Sequence, residues 1–444
     1  MKRNRRGISF GTVFMLCLTV IAVGGSAFVF SRLSGGGAVD LGRVAGALQL
    51  GTGEKQEIED IRIRQGSSAA DSGGGGQETE TAPRVTASPR QPSADGATGP
   101  RDGVRRAELT FGGTAAIETE IRRSCYYNDT KKYDFSDLLS PLRGVFQADW
   151  SCFFLENILS DDYKVNATIV PTEAAKLVTG AGVSAAACGF PGIYDKGSAG
   201  LASTRKALED QGVTALGISE DSAWAEVNGI SLYIRQYTGT MSASARKSLA
   251  KNGEEYAVPA ADIGQIRADL TEARSEADVV IVLVHWGKDG KNPDRAQQEL
   301  ARQIAEAGAD IIIGSGSRLP QAAELITVTG ESGESHTALC AYSLGTLISD
   351  NRKNAKRLGS YLVHASIEKG EGKAKITGMS YTPVYAWRYR QDGKTFYRCV
   401  PIDGTAPDGM DSEQMKTMEK AGNAVADALN GSPLMIRSGN GGGR

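Results

Sequence analysis

Histidine is the scarcest reactive residue in this chain, with three among 444 residues. A multinuclear metal centre draws on several imidazoles, so the sequence holds little material for one. Cysteine is sparse too: six residues with no C-x-x-C pair. That excludes a dense disulfide scaffold and argues against a zinc ribbon or a dithiol redox centre. Charge of one sign is also missing, since 50 Lys and Arg face 52 Asp and Glu for a formal net charge of −2. A nucleic-acid binder needs a basic surplus, and no nucleic-acid partner is expected. What is present is 40% hydrophobic residues, enough for a real core, over a length that allows two or three domains at about 150 residues each.

Lys2, Arg3, Arg5 and Arg6 precede an uncharged run from Gly7 to Ser31, closed by Arg32. The run exceeds the ~20 residues that span a bilayer. Residues 8–30 are therefore expected to anchor the chain in the cytoplasmic membrane as a single pass, basic end inside and the rest extracytoplasmic. Gly25-Ser26-Ala27 suits a signal peptidase, but a cleaved signal would have an apolar region longer than usual, which favours a retained anchor. From Arg32 to about Pro100 the composition turns to Gly, Ser, Ala, Thr and Pro, too polar to offset its ordering entropy. The expected organisation is an anchor over 1–31, a flexible linker over 32–104, an extracytoplasmic domain over 105–408, and a helix with a Gly-rich tail over 409–444.

Past the linker the pattern is α/β. Glu108 to Phe111 reads as a strand ending in Gly112-Gly113, and Asp149 to Leu155 as a second. Between them Tyr133, Phe135, Leu138 and Leu139 recur at helical spacing. Val183 to Cys188 is a small-residue strand, and Ser198 is the expected N-cap of a helix through Leu201 and Leu208. Val213 to Ile218 follows, then a hairpin at Asn228-Gly229. Ala277 to Val284 is apolar enough for a strand covered on both faces. A helix from about Pro293 to Ala307 and the strand Asp310 to Ile313 complete a repeating unit, which Ala338 to Tyr342 and Ser360 to Ile367 extend. Met415, Met418, Ala421, Val425 and Leu429 lie at the spacing of a docked terminal helix. Among the five cysteines beyond the apolar run, Cys152, Cys188 and Cys340 lie in apolar strand contexts and read as buried hydrophobes. Cys125 and Cys399 are freer to pair, with the connectivity open.

Several segments in order carry a resemblance: Tyr133-Asp134-Phe135, Leu155-Glu156, Asp195-Lys196-Gly197-Ser198-Ala199-Gly200-Leu201, and His285-Trp286-Gly287 followed by Pro293, Gln298 and Leu300. Ala307 to Gly314, Gln321, Glu324 and Tyr342-Ser343-Leu344-Gly345 continue it. From about Ala107 to Pro401, some two thirds of the chain, the sequence resembles the CapA/PgsA-type capsule-synthesis proteins, associated with poly-γ-glutamate and related envelope polymers. The resemblance implies a fold similar to calcineurin-like metallophosphoesterases: a sandwich of mixed β-sheets flanked by helices. It also implies an envelope polymer or the capsule-synthesis machinery as partner.

The resemblance breaks where chemistry is expected. The family's Gly-Asp after the first strand is Gly113-Thr114 here, and its Asn-Leu-Glu is Phe154-Leu155-Glu156. Its Asn-Asn-His turn is Phe190-Pro191-Gly192, and its Gly-His-His-Pro-His stretch is Gly314-Ser315-Gly316-Ser317-Arg318. Two divalent ions about 3.5–4 Å apart need a bridging carboxylate and several N/O ligands. Thr114 cannot bridge as Asp does, and neither Phe190 nor Gly192 has a ligating side chain. His336, in a polar turn, and His364, within a late strand, replace none of the lost ligands. The expectation is a pseudoenzyme without cofactor, binding or scaffolding polymer. The alternative is a hydrolase of phosphoester or amide bonds, with a divalent metal and a site rebuilt around His285, Glu156 and Asp195.

Each candidate has two readings. His285 at a strand end and Trp286 beside it suit ligand contact, or a His held by a backbone carbonyl with a Trp plugging the core. Glu156 is an acid, a base or an acceptor for loop amides. Asp195 with Gly197 reads as a turn into the next helix once the family histidine is gone. The loop Gly314-Ser315-Gly316-Ser317-Arg318 offers backbone N–H groups and a guanidinium fork that suit an anion, or is an ordinary Gly/Ser loop after a strand, and Thr114 and Gly287 are further candidates for ligand contact. Pairing of Ser315 or Ser317 with His285 would give a nucleophile and base, which no spacing requires.

Overall fold

The computed structural model describes residues 103–219, 222–329 and 333–437. The expected anchor, and the expected linker up to residue 102, lie outside the described residues. Among the described residues no helix is long and apolar enough to cross a membrane.

Runs of buried apolar residues set the strands, and strand alternation sets the layers. The chain enters a first sheet with β1 (Arg105–Ala115), β2 (Trp150–Leu155), β3 (Ala185–Ala187) and β4 (Thr214–Leu216). These four pair in parallel, in that order. A second sheet takes β5 (Ala223–Val227), β6 (Ile230–Thr238), β7 (Val279–His285), β8 (Ile311–Ser315), β9 (Ala323–Thr329) and β10 (Ser335–Ala341). Its order is β9-β10-β8-β7-β6-β5, parallel from β6 through β7 and β8 to β10 and antiparallel at both edges. The chain then returns to the first sheet as β11 (Thr346–Ile348), β12 (Gly359–Lys369), β13 (Lys375–Gln391), β14 (Lys394–Pro401) and β15 (Met435–Ile436). That sheet runs β14-β13-β12-β1-β2-β3-β4, with β11 also on β1 and β15 on β13. The Asn228-Gly229 turn joins β5 to β6 with both residues at positive φ, 52° and 77°, the backbone that a two-residue hairpin requires.

The sheets face each other across a shared core. Val279, Ile281 and Leu283 of β7 meet Leu109, Phe111, Cys152 and Phe154 of the first sheet there, while Val280, Val282 and Val284 face the other way. At about 1.5–3 kcal/mol per fully buried side chain, a strand covered on both faces is anchored twice. The outer faces are covered by helices: α1 (Thr119–Ser124), α2 (Lys176–Ala181), α3 (Gly197–Glu209) and α4 (Ala243–Asn252) belong with the first sheet's outer core. The segments α5 (Ile263–Ala273) and α6 (Arg295–Glu306) cover the second sheet. Asp294 caps α6 in a reciprocal capping box with Gln297. The terminal helix α7 (Ser412–Ala428) docks through Met418, Ala421 and Val425. A side-chain amide ties the layers together: Gln236 of β6 accepts from Gly189 N–H and donates to Gly189 O, both at 2.8 Å.

Four local expectations are corrected. The helix expected around residues 133–139 is a series of turns, because Asp134 accepts from Ser136 N–H and Asp137 from the Ser140 hydroxyl, local bonds that compete with a helix. Lys196, without a side-chain cap, precedes α3, so Ser198 lies in its first turn. His336 is in strand β10, its Nε2 2.8 Å from Ala309 O. Cys125 and Cys399 are buried and unpaired like Cys152, Cys188 and Cys340.

Candidate functional site

Strand alternation brings two candidates face to face. On β7, Ile281 and Leu283 point into the shared core, so His285 at the strand end points the same way. On β2, Cys152 and Phe154 point inward, and Glu156, one residue past the strand, continues their face. The two side chains meet: His285 Nε2 lies 3.2 Å from Glu156 Oε1, each side chain 7% exposed. The other oxygen, Oε2, accepts from Arg318 Nη2 at 2.9 Å. An ionised carboxylate only accepts, so His285 Nε2–H is the donor. Burial raises the Glu156 pKa, but the His285 hydrogen bond and the Arg318 charge outweigh it and hold the carboxyl below its usual range.

The loops that carry these groups are fixed by polar side chains. Asn157 is fully buried and accepts from Ile117 N–H at 2.7 Å, tying the residues after β1 to those after β2. After β8, the Ser317 hydroxyl donates to Leu319 O and accepts from Leu319 N–H, so it serves its own turn. Gly316 has φ +101°, and a Cβ there would lie 2.8 Å from His285 Cε1. Gly287 is equally confined, since a Cβ would meet Ser317 N at 2.3 Å. Each glycine lets backbone approach where no side chain fits.

A second carboxylate joins this centre from the end of β1. Arg318 Nη1 lies 3.5 Å from Glu118 Oε1, and Glu118 Oε2 accepts from Asp350 N–H at 2.9 Å. Burial and the contact with Asp350 push the Glu118 pKa up to about 7. Neither Glu118 nor Asn157 stands out in the sequence. The available signal was an acidic or amide residue directly after an apolar strand, a weak one.

The remaining candidates separate. Trp286 is buried with the helices of the second sheet, its Nε1 donating to Tyr342 O at 2.9 Å and its ring stacked on Tyr342, so it plugs the core and offers no face to a ligand. Asp195 is exposed in the turn before α3 and, among the described residues, makes no bond to Glu156 or His285. Thr114 is buried on β1 between Phe154 of β2 and Thr346 of β11. Ser315 sits beside His285 in the ladder, yet its Oγ and His285 Nδ1 are both buried without a hydrogen-bond partner. The nucleophile–base pair is therefore not assembled. Cavities of about 490 and 650 Å³ lie elsewhere, and no candidate residue lines either.

The two-cation centre implied by the resemblance does not fit these donors. Both Glu156 oxygens are engaged, His285 Nε2 is spent on Glu156, Phe190 is buried, and no group of three His, Cys, Asp or Glu among the described residues is arranged to hold a metal.

The architecture is a helix-covered pair of mixed sheets whose strand ends gather a carboxylate, an imidazole and a guanidinium. Residues 108–351, more than half of the chain, match the family described as bacterial capsule synthesis protein PGA_cap, and the chain belongs to that family. The PGA biosynthesis protein CapA of Bacillus subtilis (strain 168) is 28% identical over 156 residues, 35% of this chain and 38% of its own length. The capsule biosynthesis protein CapA of Bacillus anthracis is 26% identical over 185 residues, 40% of this chain and 43% of its own. The chain thus spans about two fifths of the length of these curated relatives. Similar solved structures include the NAD nucleotidase NadN of Haemophilus influenzae, with TM-score 0.37 and 12% identity over 76% of this chain and 58% of that one. The calcineurin-like phosphoesterase YfkN of Bacillus subtilis has the same TM-score and identity over 73% of this chain and 99% of that one. Scores this low carry no argument about activity.

Proposed function

We propose that the protein is a membrane-anchored, extracytoplasmic and non-catalytic member of the capsule-synthesis family. It binds or scaffolds an envelope polymer of the poly-γ-glutamate kind during assembly or export, held to the membrane by residues 8–30 and using no divalent cofactor. One observation carries the non-catalytic reading: the Glu156 carboxylate, the one family-type acid retained beside His285, spends both oxygens on His285 and Arg318. That pairing turns the carboxylate toward this chain's own imidazole and guanidinium, whereas a general acid or base lies within hydrogen-bond reach of the substrate proton it moves. The capsule role is supported by family membership and by the names of the two curated relatives.

The test uses the full chain in detergent with fluorescently labelled poly-γ-glutamate of defined length, following co-sedimentation and polymer length together. Retention of polymer without shortening, unchanged by EDTA or added Mn²⁺, is expected. Shortening that disappears in His285→Ala would replace this reading with a hydrolase, and absence of retention would remove the polymer role.

A further inference from the structure

The misfit between this centre and a pair of divalent ions has a positive side. Arg318 projects from the loop after β8 to the ends of β1 and β2, with Nη2 2.9 Å from Glu156 and Nη1 3.5 Å from Glu118. These are among the segments where the resemblance to the family's metal-site motifs breaks or narrows, after the first strand, at Glu156 and across 314–318, with residues 190–192 lying apart from the Arg318 contacts. We infer that Arg318 is a resident cation, its guanidinium standing where a divalent ion would otherwise balance the charge of Glu156, so that this centre is held by a covalently attached charge that no chelator removes.

Three features support this. The Glu156 side chain is 7% exposed, and a buried carboxylate is tolerated only with a compensating charge and hydrogen bonds. A planar guanidinium fork reaches two carboxylates at once, which the single ammonium of lysine does less well. Arg318 also has φ +57°, a left-handed conformation that L-residues avoid and that persists where the surroundings over-determine it. The surroundings here include a Thr346 hydroxyl donating to the Arg318 carbonyl at 3.3 Å.

The inference rests on the proposed reading only in treating the centre as free of divalent ions. Polymer binding can fail without touching it. The test is elemental analysis of the purified full chain, together with thermal unfolding in EDTA and in added Mn²⁺ or Zn²⁺. No stoichiometric metal and an unmoved midpoint are expected. Arg318→Met should lower the midpoint by about 5–10 °C, Arg318→Lys should restore part of the loss, and Glu156→Gln added to Arg318→Met should recover most of it. One equivalent of metal in the wild type that is lost in Glu156→Gln overturns the inference. So do additive effects of Arg318→Met and Glu156→Gln. Should Arg318→Met fail to fold, the metal content of the wild type still decides.

Discussion

At the scale of single residues, the pH dependence of stability follows from groups whose folded environment differs from water. His364 of β12 is buried, with Nδ1 2.9 Å from Thr110 Oγ1 and Nε2 2.9 Å from Thr382 Oγ1. Burial, with a smaller effect from Arg437, lowers its pKa from 6.5 to about 3. The unfolded chain binds this proton more readily, so the contribution is complete above pH 6.5 and is lost as pH falls towards 3. At about 1.4 kcal/mol per pH unit, the window is worth several kcal/mol. Glu156, held low, acts with the same sign at more acid pH. Glu118, raised from 4.5 to about 7, has the opposite sign: its contribution is complete below 4.5 and is lost as pH rises through 7. Urea unfolding from pH 3 to 8 should show stability climbing to a plateau between about 4.5 and 6.5 and then declining slightly. His364→Gln should flatten the acid limb, and an unchanged limb would assign it to other groups.

Among secondary-structure elements, the close seat of α7 on β12 is the most exacting. A Cβ at Gly359 would lie 2.5 Å from the Ala421 carbonyl oxygen, which is backbone and cannot swing aside. Gly359→Ala should therefore push α7 off the sheet, destabilising the fold by about 1–3 kcal/mol and speeding limited proteolysis before residue 412. Wild-type resistance to proteolysis would show that the helix can shift without penalty. Elements of this kind were readable in the sequence where one signal dominates. The two-sided apolar run of β7, the Asn228-Gly229 turn and the spacing within α7 each have a single interpretation. The Asp392-Gly393 turn between β13 and β14 has the same chemistry and also sits at positive φ, 51° and 75°, but its flanks mix arginine with aromatic residues and give no clean alternation. Around residues 133–139 helical spacing is present, and Asp134 and Asp137 overrule it through short-range bonds.

For the whole molecule, half of the candidate centre could be read in advance. Alternation along β2 and β7 puts Glu156 and His285 on inward faces, and the same rule sends Trp286 to the opposite side, away from any ligand beside His285. Arg318 could not be paired with Glu156 in this way, since 162 residues separate them and the arginine sits in a loop whose left-handed turn has no pattern to announce it. The packed layers also bury all five cysteines beyond the apolar run, Cys152 between the sheets and the other four in the outer cores, and burial raises each thiol pKa. A protonated, enclosed thiol is inert to disulfide exchange. Folded chains should therefore react slowly with a thiol reagent at these positions, and rapid labelling of the native protein would contradict such shielding. Under oxidising conditions, such as those of the proposed extracytoplasmic location, unfolding makes those sulfurs available together, and mispaired bridges can trap the chain before the sheets re-form. Durability in that setting then depends on how rarely the sandwich opens, a matter of unfolding rate more than of equilibrium.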